Sequence, residues 1–390
     1  MQTRSCAYEC RWYRLYMKPF LKSVRTPLLI GLCNRLALFL LAYFGLALNP
    51  GVSHPWRAFP ENYFLDSWFR WDTGWYFRII QEGYTVIPGP QQPTNFFPLY
   101  PLLSGGLAQL VGNPYIAGFI VSNVSLLIAS VFLYRIVTEI HSERVARRAL
   151  ILMLCYPFSF YFSAMYTESL FLVSSLGAFY FARQNRFAVA VLFAAAAGAT
   201  RLVGVLVVIP VVLYYLQSCE WNFKKLRRDA FFLPLGFAGV FAYMFFLWIR
   251  FQNPVAFLSL QWVAGWGNEH TLGYFFTVMG QVFNWQRFVT GQYDIVSFIN
   301  VASAAILLAI TLKMAKKIGW IPTVWAVITL LVSLRIWRAS GRYAGVIFPA
   351  FVGAALFFET RPLAYQWVLT FSCLLLGLLT YCFSHGMWIC

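Results

Sequence analysis

The sequence predicts an all-α polytopic membrane protein, and three observations carry that expectation. Hydrophobic residues make up 60% of the 390 residues and charged residues only 11%, against about 25% charged in a soluble globular domain. The apolar residues gather in runs close to the roughly 20 needed to cross a bilayer as a helix. Lys and Arg concentrate in the short loops between those runs, the pattern that marks cytoplasmic loops. The net charge of +17 is therefore read as a topology signal and an attraction to anionic lipid, and nucleic acid is not expected as a partner.

The elements follow in order. Residues 1–27 are expected as a cytoplasmic N-terminal segment, too long and too aromatic for a cleaved signal peptide. The first span is expected at 28–48, behind Lys18, Lys22 and Arg25. Residues 49–97 then form a first outer loop. FFPLYPLLSGGLAQLVG (96–112) is apolar but short and holds Pro98 and Pro101, so it reads as a re-entrant or interfacial helix. A span at 115–137 ends at HSERVARR, with Arg144, Arg147 and Arg148 inside.

Residues 149–182 are expected to rise and return around an outer turn, YPFSFYFSAMYTES, with Arg183 and Arg186 at the inner end. Residues 187–217 do the same around Ala199, Thr200 and Arg201. Lys224, Lys225, Arg227 and Arg228 mark an inner loop, and a span at 230–249 leads to a second outer loop at 250–293. Spans at 294–312, 318–334, 343–358 and 364–383 complete the chain. This gives about eleven transmembrane helices in a single membrane domain over 1–390, with amphipathic helices in the two long outer loops. No duplicated half is visible, and the lopsided loops suit an enzyme with an outer-face site better than a carrier built from inverted repeats.

The cysteines form no framework. Cys33, Cys155, Cys373 and Cys382 lie in apolar runs, Cys6, Cys10 and Cys219 in segments placed inside, and Cys390 at the tail. The pair Cys6 and Cys10 is too isolated for a zinc site.

The topology sorts the acids. Glu9, Glu139, Glu143, Glu220, Asp229 and Glu359 fall inside, mostly beside Lys or Arg, as solvated loop charge. Glu61, Asp66, Asp72, Glu82, Glu168, Glu269 and Asp294 fall outside. In FRWDTGWYFRIIQEGYTVI (69–87), Trp71, Trp75 and Ile79 recur at helical spacing with Trp68 one turn earlier, an amphipathic stretch expected in the headgroup layer. Trp68 and Trp75 read as an interfacial aromatic belt. A lone Asp72 carboxylate in such a surface is poorly solvated and suited to act as a base, although a helix N-cap is the plainer reading of an Asp there.

Basic residues on the outer side are the second clue. Arg201 sits in ATRLVG, and Arg335, Arg338 and Arg342 sit in SLRIWRASGRY. Positive charge there runs against the inside bias and asks for a reason. A membrane-held phosphate supplies one, since a guanidinium clamps its oxygens in parallel; snorkelling to outer headgroups is the alternative. A base and a cationic clamp beside aromatic residues fit group transfer from a lipid-linked phosphate.

Five passages, in order over residues 69–351, give the chain a resemblance to a known family. They are FRWDTGWYFRIIQEGY, NFFPLYP (95–101), YPFSFYFSAMYTESLFLVSSLGAFYFARQNRF (156–187), ATRLVGVLVVIP (199–210) and, more weakly, SGRYAGVIFPAF (340–351). The sequence resembles the GPI mannosyltransferase 2 (PIG-V type) family and its bacterial relatives, within the GT-C class of integral-membrane glycosyltransferases. The resemblance implies a GT-C-type fold and inverting transfer of a hexose, usually mannose, from a polyprenyl- or dolichyl-phosphate sugar to a lipid or glycan acceptor at the non-cytoplasmic face. Asp72 matches the family's first-loop acid, the candidate general base. Arg201, Arg338 and Arg342 are the candidates for the donor phosphate. Glu168 matches the second acidic position, and Trp71, Trp75, Tyr76, Glu82 and Tyr84 are candidates for sugar or acceptor contacts. No cofactor is expected: Asp72 is followed by Thr73 and Gly74, so the metal-holding Asp-x-Asp of nucleotide-sugar transferases is missing.

The motifs do not imply the GPI acceptor, and the resemblance points to a bacterial relative in the inner membrane, or the endoplasmic reticulum membrane for a eukaryotic chain, with the N-terminus cytoplasmic. A GT-C transferase for glucose or an aminosugar stays open, because the sequence does not place the pocket contacts. A transporter or lipid flippase needs polar residues near mid-membrane, and Asn34 and Arg35 are the mid-run residues of that kind. An acyltransferase wants a membrane His, whereas His54, His141 and His270 fall in loops and His385 near the tail.

Overall fold

A computed structural model describes residues 18–52, 56–87, 92–259, 276, 280, 284–290, 295–334 and 339–389. Every regular element among them is a helix. The helices used below are α1 (Lys18–Leu48), α2 (Tyr63–Asp66), α3 (Asp72–Glu82), α4 (Leu99–Val111), α5 (Pro114–Ile140), α6 (Glu143–Leu154), α7 (Glu168–Arg183) and α8 (Phe187–Thr200). After them come α9 (Val208–Ser218), α10 (Ala238–Phe251), α11 (Ile295–Lys313), α12 (Trp320–Leu334), α13 (Ser340–Ala344), α14 (Phe348–Phe357) and α15 (Pro362–Ser384).

Among the described residues, five stretches are long and apolar enough to cross a membrane alone: Leu21–Leu48, Pro114–Ile140, Arg228–Phe251, Ile295–Lys313 and Pro362–Ser384. The other expected crossings are shorter. Phe187–Thr200, Leu202–Ser218, Trp320–Leu334 and Phe348–Phe357 are apolar helices of 10–17 residues, as is Leu99–Val111, expected as a re-entrant or interfacial helix, so length and composition by themselves support five of the eleven expected crossings among the described residues. Local chemistry sets several boundaries. Asn113 caps α5 by accepting from Tyr115 N (2.9 Å) and Ile116 N (3.2 Å), with Pro114 at the first helical position. Ser142 caps α6 through Val145 N at 3.3 Å.

The core lies around α7, buried along nearly its whole length and packed against α5 and α8. Its small residues Ser169, Ser174, Ser175, Gly177, Ala178 and Ala182 let neighbours come close. The Phe193 ring fills the space a Cβ on Gly177 would take.

Two expectations fail here. The turn 156–167, read as an outer loop, is buried throughout and holds the 3-10 turn Ser159–Phe162. Its backbone is satisfied from α1. Arg35 Nη1 donates to Ser159 O (2.9 Å) and Ser163 Oγ (3.3 Å), and Nη2 donates to Leu154 O (3.0 Å) at the end of α6. Buried backbone groups freed by a break between helices need such partners. Arg35 is thus bound to the scaffold, and Asn34 Oδ1 accepts from its Nε at 3.0 Å.

The second failure concerns the tryptophan belt. Trp68 is fully buried, its ring edge-on to Phe39 at 5.1 Å and tilted against Phe119 at 6.3 Å. In α3 the buried stripe is Thr73, Tyr76 and Ile79, not Trp71, Trp75 and Ile79, and it packs on α4 and α5. Helical spacing was the right period, but protein rather than headgroups covers the face. Most of the stretch 250–293, expected as the second outer loop, falls outside the described residues, Glu269 included, as does Asp294 just beyond it.

Three of the acids expected inside form ion pairs among the described residues. Glu143 pairs with Lys22 (2.8 Å) and Arg147 (3.6 Å), Asp229 with Arg227 (3.4 Å), and Glu220 with Lys225, all at exposed positions.

Candidate active site

The segment 49–97 is built around a buried acid. Asp66, at the end of α2, accepts from Arg70 Nη2 (2.7 Å), Arg57 Nε (2.8 Å) and Phe59 N (3.1 Å). Burial pushes its carboxyl up, yet Arg70, the Phe59 amide and Arg57 outweigh that and hold it below the usual carboxylate range. Arg70 Nε reaches Ser384 O (3.1 Å) and Trp71 Nε1 reaches Met387 O (3.2 Å), tying the loop to the end of α15. Trp71 also meets Trp388 edge-to-face at 4.7 Å.

Trp71 sits at φ 52°, ψ −109°. A bulky residue at positive φ costs on the order of 1–3 kcal/mol and persists only where its surroundings impose it. The next residue is Asp72, at the N-terminus of α3. The cap position is Trp71, which makes no side-chain cap bond, so Asp72 is not the N-cap. Its carboxylate goes elsewhere: Arg342 Nη1 donates to Oδ2 at 2.7 Å.

Arg342 then joins the site to the core. Its Nε donates to Glu168 Oε1, and Arg201 Nη2 donates to the same oxygen. Arg201 Nε adds a bond to Thr167 Oγ1 at 2.9 Å. Asp72, Arg342, Glu168 and Arg201 therefore form one continuous chain of alternating charge. Asp72 is the member most open to solvent, its side chain 17% exposed, against 6% for Arg342, 9% for Arg201 and 0% for Glu168. The expected lone carboxylate is an ion-paired one. Both acids stand in the first turn of a helix, where the dipole favours negative charge. Aromatic faces line the cations: Arg342 lies over Tyr166 (4.5 Å) and Tyr161 (4.9 Å), and Arg201 over Tyr343 (4.8 Å).

Two glycines of the quoted motifs are explained by this geometry. A Cβ on Gly204, three residues past Arg201, would overlap the Ala197 carbonyl, because the chain doubles back onto α8 there. A Cβ on Gly341 would enter the Phe158 ring and lie 2.9 Å from Asn300 Oδ1, the atom that accepts from Gly341 N. Beside Asp72 the opposite holds: a Cβ on Gly74 meets nothing within 4 Å.

Two buried atoms in the cluster have no hydrogen-bond partner among the described residues, Glu168 Oε2 and Arg201 Nη1. One is an acceptor and the other a donor, and both lie buried inside the cluster.

The remaining candidates divide. Tyr76 is buried with its ring against Phe96 (5.1 Å) and Tyr100 (4.9 Å). Burial, then the charges of Asp72 and Glu168, push its phenol up, which places it beside the cluster. Trp75 stacks on Phe96 at 5.6 Å and Tyr84 donates to Phe96 O at 2.7 Å, so both brace the loop wall. Glu82 sits at the far end of α3 in an exposed pair with Arg78 at 2.9 Å, apart from Asp72. Arg335 and Arg338 lie outside the described residues. The sequence reading missed Tyr166, Thr167, Tyr161 and Tyr343. The signal was at hand: Tyr166 and Thr167 stand directly before Glu168, and Tyr343 directly after Arg342.

No family model and no curated protein matches the chain. Two solved structures of the Archaeoglobus fulgidus oligosaccharyltransferase are similar to it. The complex with Zn and sulfate has 12% identity and a TM-score of 0.45, over 90% of this chain and 53% of that one. The form tethered through a disulfide to an acceptor peptide containing the NVT sequon has 13% identity and a TM-score of 0.48, over 97% of this chain and 56% of that one. The chain thus spans about half the length of the solved structures it matches.

Proposed function

We propose that the protein is an integral-membrane glycosyltransferase of GT-C type, with residues 49–97 as its outer catalytic loop. It moves a hexose, mannose on the motif resemblance, from a polyprenyl- or dolichyl-phosphate sugar to a lipid or glycan acceptor at the non-cytoplasmic face. The observation that carries this reading is the partly exposed Asp72 carboxylate held by Arg342 at the mouth of a buried acid–arginine chain.

The reaction follows from those groups. Asp72 takes the proton of the acceptor hydroxyl as its oxygen attacks the anomeric carbon. The bond from that carbon to the lipid phosphate breaks on the opposite face, so configuration inverts. Charge gathers on the leaving phosphate, where Arg342 and Arg201 stabilise it. A phosphate at Arg342 competes with Asp72 for the guanidinium, and the carboxylate is thereby released to act as base. Arg201 Nη1 is available to a phosphate oxygen, and Glu168 Oε2 to a sugar hydroxyl. The open space at Gly74 leaves room for an acceptor beside Asp72. Trp71, Trp75, Tyr76 and Tyr84 form the aromatic wall, Arg338 completes the set proposed for substrate contacts, and Glu82, paired with Arg78 at the far end of α3, leaves that set.

The test is direct. Purified protein is incubated with polyprenyl-phosphate mannose and lipid acceptors, and products are read by mass spectrometry. A new hexosylated product supports the reading. Its absence across mannose, glucose and aminosugar donors rejects it, and transfer from another donor alone corrects the sugar.

A further inference from the structure

We infer that Tyr166 is the positioning residue of this site, setting Asp72 and Arg342 together; the inference rests on the transferase reading. Its phenol oxygen lies between two backbone groups of the first outer loop. It donates to Arg70 O at 3.0 Å and accepts from Asp72 N at 3.2 Å. These two groups flank Trp71, the residue held at positive φ. The first N–H groups of a helix have no partner within it, and α3 has no side-chain cap of its own. A residue 94 positions away therefore satisfies the amide of Asp72 and pins the turn that aims its carboxylate.

The ring of the same side chain does a second task. The Arg342 guanidinium lies 4.5 Å from its centroid, so the position of Arg342 is referenced to Tyr166 as well. Tyr166 is itself fixed, buried against Tyr161 (5.1 Å) and Phe383 (6.1 Å). It immediately precedes Thr167 and Glu168, which hold Arg201. One short buried stretch thereby gives a common reference to the base, the cation between the acids and the second arginine.

The two functions of the side chain separate by substitution. Tyr166→Phe keeps the ring under Arg342 and removes both hydrogen bonds at Asp72. Tyr166→Leu removes the ring as well, and Tyr161→Phe is the control, altering a neighbouring phenol that makes neither bond. Purified full-length variants are compared for kcat, for KM with polyprenyl-phosphate mannose, and for amide hydrogen exchange at Asp72. Tyr166→Phe is expected to lower kcat by about 100-fold, the effect of a small misplacement of a reacting group, with KM within about twofold. The Asp72 amide exchanges faster, and in Tyr161→Phe it does not. Tyr166→Leu adds a rise in KM.

Unchanged exchange at Asp72 in Tyr166→Phe overturns the positioning role whatever the activity. Wild-type kcat in Tyr166→Phe also overturns it. Wild-type protein that transfers no sugar, together with faster Asp72 exchange in Tyr166→Phe, rejects the transferase reading and leaves the clamp on Asp72 standing.

Discussion

Arg342 Nη1 and Asp72 Oδ2 meet at 2.7 Å across 270 residues of sequence. The pair joins the N-terminus of α3 to α13, far along the chain. It makes the conservative substitution of Asp72 informative.

Asp72→Asn retains size and most hydrogen bonding but cannot accept a proton. Transfer should fall by about 10²- to 10⁴-fold, the usual share of a general base. Donor binding should survive, since Arg201 and Arg342 remain. Product formation at matched protein levels checks this, and near-normal transfer would remove Asp72 from the chemistry.

Arg201→Ala removes a donor whose Nη1 has no partner within the described protein. A charge-assisted bond to the donor phosphate is worth about 1.5–3 kcal/mol, so affinity for polyprenyl-phosphate mannose should drop by roughly 10- to 150-fold. Binding measured on folded, monodisperse protein decides the matter. Unchanged affinity assigns Arg201 to holding Glu168 alone.

Asp66 gives the first outer loop an acid limit. Its carboxyl is held below its ordinary value in the folded chain. Its contribution to stability is therefore complete above the unfolded value, about 3.9, and is lost as pH falls through the lower folded value. Thermal unfolding in detergent should show a drop in Tm on that acid limb, and Asp66→Asn should flatten it. An unaltered acid limb in Asp66→Asn would place the acid sensitivity elsewhere.

Orientation is open to a labelling test. Glu61 and Lys224 are both exposed, one in the first outer loop and the other in the basic loop at 219–229. In a cysteine-free background, a membrane-impermeant thiol reagent applied from outside should label Glu61→Cys and leave Lys224→Cys unlabelled. The reverse pattern would move the whole site to the cytoplasm.

Much of the scaffold was legible because lipid acts as a solvent. Apolar runs and basic loops located most helix ends within a few residues: Arg201 stands at the end of α8, and the span expected at 115–137 is α5 (Pro114–Ile140). What the sequence hid was contact between distant segments. Trp68 looks the same in sequence whether it faces headgroups or Phe39 and Phe119. The 156–167 stretch is aromatic enough for a surface turn, and only Arg35, donating from α1, shows why it lies inside. The site was half visible. Asp72, Arg201, Arg342 and Glu168 stood out as charge in unexpected places, but their pairing depends on tertiary packing. Tyr166 carried no charge and drew no notice.

The anchoring of Leu154 O and Ser159 O by Arg35 bears on how the protein is made. Backbone carbonyls freed by a helix break cannot stay bare in hydrocarbon. Arg35 of α1 therefore supplies donors that the break between α6 and α7 calls for, beside the local bond from Ser159 Oγ to Leu154 O. Because α1 emerges first during synthesis, the donor precedes the carbonyls it serves. A chain in which α1 follows α6 and α7, as in a circular permutant, would leave those carbonyls waiting for Arg35.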